Sequence, residues 1–256
     1  MTAKGYIAEI FSGIQGEGLW VGERQIFVRL AGCNLHCSYC DTAWARDRAL
    51  YCRAEKTPGQ RDFEEHTNPL DAARAAQLVV RLHSPAGLHS AVSFTGGEPL
   101  LQPELLRDIA ERVRGSALRV HLETNGTLPG ALSCVFDAID VIAMDVKLPS
   151  AAGIESWDEH RAFLDAARPF LSRGEAPLFV KAVFAGATAD DEVEKACRLV
   201  ASVSPQIPLV LQPVTRVPEG PEPPSPERTL CLQAVAKRFI PHVRVIPQVH
   251  KLMGQM

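Results

Sequence analysis

Short apolar, β-branched runs recur along the chain at residues 25–30, 91–95, 119–123, 141–146, 178–183, 209–212 and 243–246, and segments of helical period separate them at 69–83, 103–114, 157–171, 190–203 and 226–239. Brief apolar runs suit strands, whereas a 3.6-residue repeat suits helices. Alternation at this spacing demands parallel strands joined by right-handed crossovers. Six or seven strands fall short of the eight that close a barrel. The expected architecture is therefore α/β: a partial, TIM-like barrel of about six parallel strands, folded as a single domain over residues 1–256.

Two stretches interrupt the rhythm. Residues 43–68 are polar and charged, weakly periodic over 55–65, and read either as a lid or as a solvated insertion. Residues 216–226 carry five prolines and read as a stiff surface loop. A net charge of -3 offers no basic footprint for nucleic acid. No apolar run reaches membrane-spanning length, so no membrane partner is expected. Residues 1–11 lack the charged start and apolar stretch of a signal peptide, which points to a cytoplasmic protein.

Of seven cysteines, three fall within eight residues, a pattern that suits an inorganic centre in a reducing compartment better than disulfides. Cys52, Cys134, Cys197 and Cys231 stand singly and read as buried or incidental thiols. Cys33, Cys37 and Cys40, spaced CxxxCxxC, let one loop present three soft thiolates. A four-iron cluster on three cysteines leaves one iron open to a small molecule. A structural zinc site fills four positions, and His36 could supply the fourth.

In barrel-like folds the site forms where strands end. Polar residues gather there. Thr95-Gly96-Gly97-Glu98-Pro99 is a simple glycine turn or a place where backbone approaches a ligand closely. Glu123-Thr124-Asn125-Gly126 contains a hairpin signal, but residues 128–138 look helical, which favours a ligand-facing end. Asp145, Lys147 and Ser150 are solvated caps or binders of ribose and carboxylate; Lys181 and Gln212 qualify by position alone.

The cysteine spacing is that of radical S-adenosylmethionine (SAM) enzymes. Within them the chain resembles the 7-carboxy-7-deazaguanine synthases of queuosine biosynthesis, on Gln15-Gly16-Glu17-Gly18, on Phe27-Val28-Arg29-Leu30-Ala31-Gly32-Cys33-Asn34-Leu35, on Cys40-Asp41-Thr42 and on Gly96-Gly97-Glu98-Pro99. The resemblance implies a lyase with a 4Fe-4S cluster on Cys33, Cys37 and Cys40, and Mg2+ on Thr42. It implies SAM held by Tyr39, Gly97, Glu98, Glu123, Thr124, Asn125, Lys147, Ser150 and Gln212. The implied substrate, 6-carboxy-5,6,7,8-tetrahydropterin, would meet Ile14, Gln15, Gly16, Glu17, Arg29, Thr95 and His250. For two of these the chemistry is plain: a carboxylate at Glu17 accepts the paired donors of a 2-aminopyrimidinone, and Arg29 forks a carboxylate.

Reductive splitting of SAM would yield a 5'-deoxyadenosyl radical that takes a hydrogen atom from C6 of the pterin. Ring contraction with loss of ammonia would follow, and no side chain is assigned as acid or base. A homodimer and a reducing donor such as flavodoxin are further implications. Two rivals share the cysteine spacing: a glycyl-radical enzyme activase, for which residues 15–18 and Arg29 would have no use, and a non-enzymatic iron-sulfur carrier, which leaves the glycine-rich strand ends unexplained. Residues 43–68 match no pattern of the family.

Overall fold

A computed structural model describes residues 2–173 and 177–255. Strand β1 (Lys4–Gly5) precedes β2 (Ile7–Ile14), β3 (Arg24–Leu30), β4 (Tyr51–Glu55) and β5 (Phe63–Thr67), and β6 (Leu70–Asp71) pairs with β1. Then come β7 (Ala91–Gly96), β8 (Arg119–Thr124), β9 (Val141–Lys147), β10 (Leu178–Phe184), β11 (Leu209–Pro213) and β12 (Val243–Val245). Each apolar run seen in the sequence is a strand. The main sheet has ten strands in the order β12-β11-β10-β9-β8-β7-β3-β2-β4-β5 and does not close. From β3 to β12 neighbours are parallel, which makes seven parallel strands, one more than the expected six because the short β12 pairs with β11.

The helices are α1 (Ala72–Leu82), α2 (Pro103–Val113), α3 (Pro129–Val135), α4 (Pro149–Ala152), α5 (Trp157–Ala167), α6 (Asp190–Val203), α7 (Pro226–Lys237) and α8 (Val249–Leu252). Asp71 caps α1 by accepting from the Arg74 N–H, and Ser225 caps α7 by accepting from the Arg228 N–H. That second cap ends the proline-rich loop, which is pinned by a Gly186 N–H bond of 2.8 Å to the Glu222 carbonyl.

Alternate strand residues face opposite ways, and the two faces have different chemistry. Ile26, Val28, Val92, Phe94, Leu122, Ile142, Met144, Val180 and Leu211 share one core with the helices. Their neighbours in sequence, among them Arg29, His121, Glu123, Asp145, Lys147 and Lys181, line the concave face. Val141, Phe179 and Val210, backed by Trp20 and Ile246, form a separate apolar cluster.

Residues 43–68, expected as a lid or a solvated insertion, hold a pair of strands. Tyr51–Glu55 runs parallel to β2 and antiparallel to Phe63–Thr67, so the stretch extends the sheet. Cys52 and Ala54 are buried in the helix-side core, which binds the hairpin to the domain.

Candidate active site

One cavity of about 530 Å³ opens on the concave face, walled by residues from Glu9 to Gln255. Nearly all the sequence-predicted site residues line it: Ile14, Gln15, Gly16, Glu17, Arg29, Cys33, Cys37, Tyr39, Cys40, Thr42, Thr95, Gly97, Glu123, Thr124, Asn125, Lys147, Gln212 and His250.

The cysteine loop leaves β3 and is tied along its length. The Asn34 amide donates to Thr127 Oγ1 at 2.8 Å and its oxygen accepts from Asn125 at 2.9 Å. Ser38 donates from its N–H and its hydroxyl to the Ala152 and Ala151 carbonyls. Gly32 and Cys33 donate to the Ala45 and Arg46 carbonyls. Burial pushes the Cys33 and Cys37 thiols up; the Leu35 N–H, 3.4 Å from Cys33 Sγ, and the Lys147 ammonium near both oppose it. Among the described residues no three His, Cys, Asp or Glu side chains converge on the geometry of a single metal ion. Cys33, Cys37 and Cys40 all line the cavity, and three soft thiols on one loop suit an iron-sulfur core.

The glycine pair meets protein backbone rather than a ligand alone. A Cβ on Gly96, whose φ is +134°, would stand 2.6 Å from the Leu30 nitrogen; one on Gly97 would stand 2.5 Å from the Gly32 carbonyl carbon and 3.1 Å from Cys33 Cβ. Gly97 and Glu98 donate their N–H groups to the Leu30 and Gly32 carbonyls, at 3.1 and 2.8 Å. Glu98 and Ser150 stand outside the cavity wall. The Glu98 carboxylate, fully buried, accepts from Leu100 N at 2.9 Å, Thr124 Oγ1 at 2.8 Å and Asn125 N at 2.7 Å, joining the β7 and β8 ends; burial pushes its carboxyl up. Ser150 Oγ is engaged by Glu192 at 2.6 Å and Thr188 at 2.8 Å.

Glu123, expected at SAM, contacts two of the residues expected at the pterin: it accepts from Gln15 at 2.8 Å and Thr95 at 3.0 Å, and from Ser93 at 2.9 Å. Arg29 is fixed through Nε by Glu9 at 2.8 Å. Thr42 Oγ1 lies 3.9 Å from Cys40 Sγ. Asp145 Oδ1 and Gln212 Oε1 are buried acceptors without a hydrogen-bond partner, the kind of atoms a polar ligand or water completes.

A chain of charges crosses the concave face. Lys147 donates to Asp145 at 2.9 Å and to the Tyr39 hydroxyl at 3.1 Å. Lys181 pairs with Glu17 and lies 3.5 Å from Asp145. Burial opposes the charge on Glu17, yet the Lys181 ammonium, with Gln248 donating at 2.7 Å, holds its carboxyl at about 2. Asp145 keeps Lys147 protonated against burial, and Glu17 with Asp145 does the same for Lys181. The C-terminal segment closes the rim: Val249 N–H bonds to the Gly16 carbonyl at 2.9 Å, Lys251 pairs with Asp41 at 2.6 Å, and His250 packs against Gly16.

The Glu17 carboxyl yields a pH prediction. Depressed from 4.5 to about 2 in the folded state, it adds stability that is complete above pH 4.5 and lost as pH falls through 2. The shift corresponds to about 3 kcal/mol. Urea unfolding of the protein should therefore weaken over that window, and Glu17→Gln should flatten the dependence.

Sequence reading missed Asn34, Asp41, His121, Thr127, Gln248 and Lys251 as parts of this site. For His121 the signal was present, two residues before Glu123 on the same face of β8. Asn34 and Asp41 lie inside the motifs quoted above, and Gln248 and Lys251 flank His250, but nothing in the sequence said which side chains of those segments face the site.

Comparison with known proteins agrees with this geometry. A family model described as Radical SAM superfamily matches residues 28–166. A protein of Geobacter sulfurreducens named 7-carboxy-7-deazaguanine synthase is 43% identical over 254 residues, 98% of this chain and 97% of that one. A protein of the same name from Methanopyrus kandleri is 35% identical over 96% of this chain and 92% of its own length. Among solved structures, QueE from Escherichia coli aligns with a TM-score of 0.59 at 19% identity over 96% and 95% of the two chains. A radical SAM methyltransferase from Sphaerobacter thermophilus gives 0.62 at 15% identity over 88% and 66%. At such identities the structural likeness speaks to the fold, an open barrel. No helix among the described residues is long and apolar enough to cross a membrane.

Proposed function

The chain belongs to the 7-carboxy-7-deazaguanine synthase family of radical SAM enzymes, and we infer from that membership and from the cavity's chemistry that its substrate is 6-carboxy-5,6,7,8-tetrahydropterin. It is a lyase that forms 7-carboxy-7-deazaguanine by radical ring contraction, a step of queuosine and 7-deazapurine biosynthesis, using a 4Fe-4S cluster and SAM. When bound, these two cofactors supply the 5'-deoxyadenosyl radical that removes a hydrogen atom from the substrate.

The chain's residues bind and orient. Cys33, Cys37 and Cys40 are the thiolate ligands, and Thr42 is assigned a Mg2+ that takes its other oxygens from water and substrate. Lys147, with Thr124, Asn125, Gln212 and Tyr39, is suited to the carboxylate, ribose and adenine parts of SAM. Gly97 brings its backbone to the same end, while Glu98 and Ser150 act from behind by holding the loops. Glu17, ionised at any working pH, accepts from the pyrimidinone edge; Gln15 and Glu123 extend that polar surface, and Thr95, Ile14, Gly16 and His250 border it. Arg29 has terminal N–H groups with no partner among the described residues, suited to the substrate carboxylate.

The observation that carries the substrate reading is an ionised Glu17 and an Arg29 in the cavity that also holds the three cysteines. The whole chain acts as one catalytic unit, since the cavity wall draws on residues from Glu9 to Gln255. A homodimer and a flavodoxin-like electron donor rest on the family resemblance. The test is an anaerobic assay of cluster-reconstituted protein with dithionite, SAM and the tetrahydropterin, read by mass spectrometry. 7-Carboxy-7-deazaguanine is the expected product. 5'-Deoxyadenosine without it would remove the substrate assignment and favour an activase.

A further inference from the structure

Arg46 stands six residues beyond the last cluster cysteine, in the stretch that matches no family pattern. Its carbonyl accepts the Cys33 N–H at 3.0 Å, and its guanidinium donates to the Cys37 carbonyl at 3.2 Å. One residue thus grips the cysteine loop at two of the three thiol positions. The side chain is half-buried, its Nε is buried without a hydrogen-bond partner, and it forms no ion pair among the described residues. A cation withdrawn from water without an anion nearby is costly. No carboxylate among the described residues lies within ion-pair distance of it. Three thiolates around an iron-sulfur core are net negative, and they sit on the loop that Arg46 holds.

We propose that Arg46 is a positioning residue for the 4Fe-4S cluster: it braces the backbone at Cys33 and Cys37, and its charge favours the reduced cluster. Reduction adds one electron to an already negative centre, so a fixed cation beside the loop raises the reduction potential, one of the levers by which proteins tune such clusters. The proposal rests on the family assignment given above.

The test compares anaerobically reconstituted unsubstituted protein, Arg46→Gln and Arg46→Lys by redox titration followed with electron paramagnetic resonance, and by iron release to a chelator. Arg46→Gln should shift the one-electron reduction equilibrium about tenfold toward the oxidised cluster, about 59 mV downward. It should also release iron faster, while Arg46→Lys keeps the charge and stays closer to the parent in potential. If Arg46→Gln holds too little cluster to titrate while its circular dichroism stays native, release from Arg46→Lys decides: slower than from Arg46→Gln supports the proposal, equal rates overturn it. A parental potential and parental iron retention in Arg46→Gln would also overturn it. Failure of the unsubstituted protein to assemble any cluster would instead count against the radical SAM assignment.

Discussion

Gly97→Ala is expected to cost the protein its cluster while leaving most of the fold in place. The added methyl would lie 2.5 Å from the Gly32 carbonyl carbon and closer still to its oxygen, with Cys33 Cβ at 3.1 Å. Both neighbours are anchored. The Gly32 carbonyl accepts the Glu98 N–H, and Gly32 donates to Ala45, so relief requires the entry to the cysteine loop to move. Forcing a methyl into packed backbone costs about 1–3 kcal/mol, and more where nothing yields. Displacing one of three thiolates should lower iron retention at least tenfold, which is about 1.4 kcal/mol of binding. Iron per chain after reconstitution and desalting measures this. Gly130→Ala, whose methyl would meet nothing within 4 Å, is the control and should retain iron as the parent does.

Lys181→Met should be the second large effect. Lys181 pairs with Glu17 and lies 3.5 Å from Asp145, with its own side chain 16% exposed and that of Glu17 18%. Breaking a buried ion pair from one side costs about 3–5 kcal/mol, because the remaining charge keeps its desolvation without its partner. The Glu17 carboxyl, held at about 2 in the parent chiefly by Lys181 against burial, would then rise. In the parent, activity should show no acid limb from Glu17 above pH 4. In Lys181→Met, activity should fall as pH drops through the raised value, with KM for the tetrahydropterin up tenfold or more. The double variant Lys181→Met, Glu17→Gln should regain stability without regaining activity, since both charges leave together.

The parallel strands and most of their helices were legible because each strand is a short apolar run and α1, α2 and α6 carry a clean helical repeat, whereas α7 buries only Leu232, Val235 and Ala236 and is marked instead by its Ser225 cap and Pro226. β2 was not: Ile7–Ile14 is buried almost throughout and does not alternate. The hairpin of β4 and β5 escaped because Arg53, Glu64, Glu65 and His66 make two short strands, β5 at the sheet's edge, look like a solvated loop. In the site, the cysteine spacing and the glycine pair announced themselves locally. The reason the glycines are needed, backbone crossing backbone at Leu30 and Gly32, could only be seen in three dimensions. The same holds for Glu17, whose partners Lys181 and Gln248 lie 164 and 231 residues away. Glu98 reads in sequence as a ligand-facing carboxylate, yet its oxygens are taken by Leu100, Thr124 and Asn125.

The most direct test of the central claim, that this cavity positions a tetrahydropterin carbon beside a SAM-derived radical, is a turnover experiment with 6-carboxy-5,6,7,8-tetrahydropterin deuterated at C6. Reconstituted protein, SAM and dithionite would be combined without oxygen and the products analysed by mass spectrometry. The account predicts deuterium at the 5' carbon of the deoxyadenosyl group together with 7-carboxy-7-deazaguanine. Unlabelled 5'-deoxyadenosine from a well-formed cluster, with no deazaguanine, would contradict it.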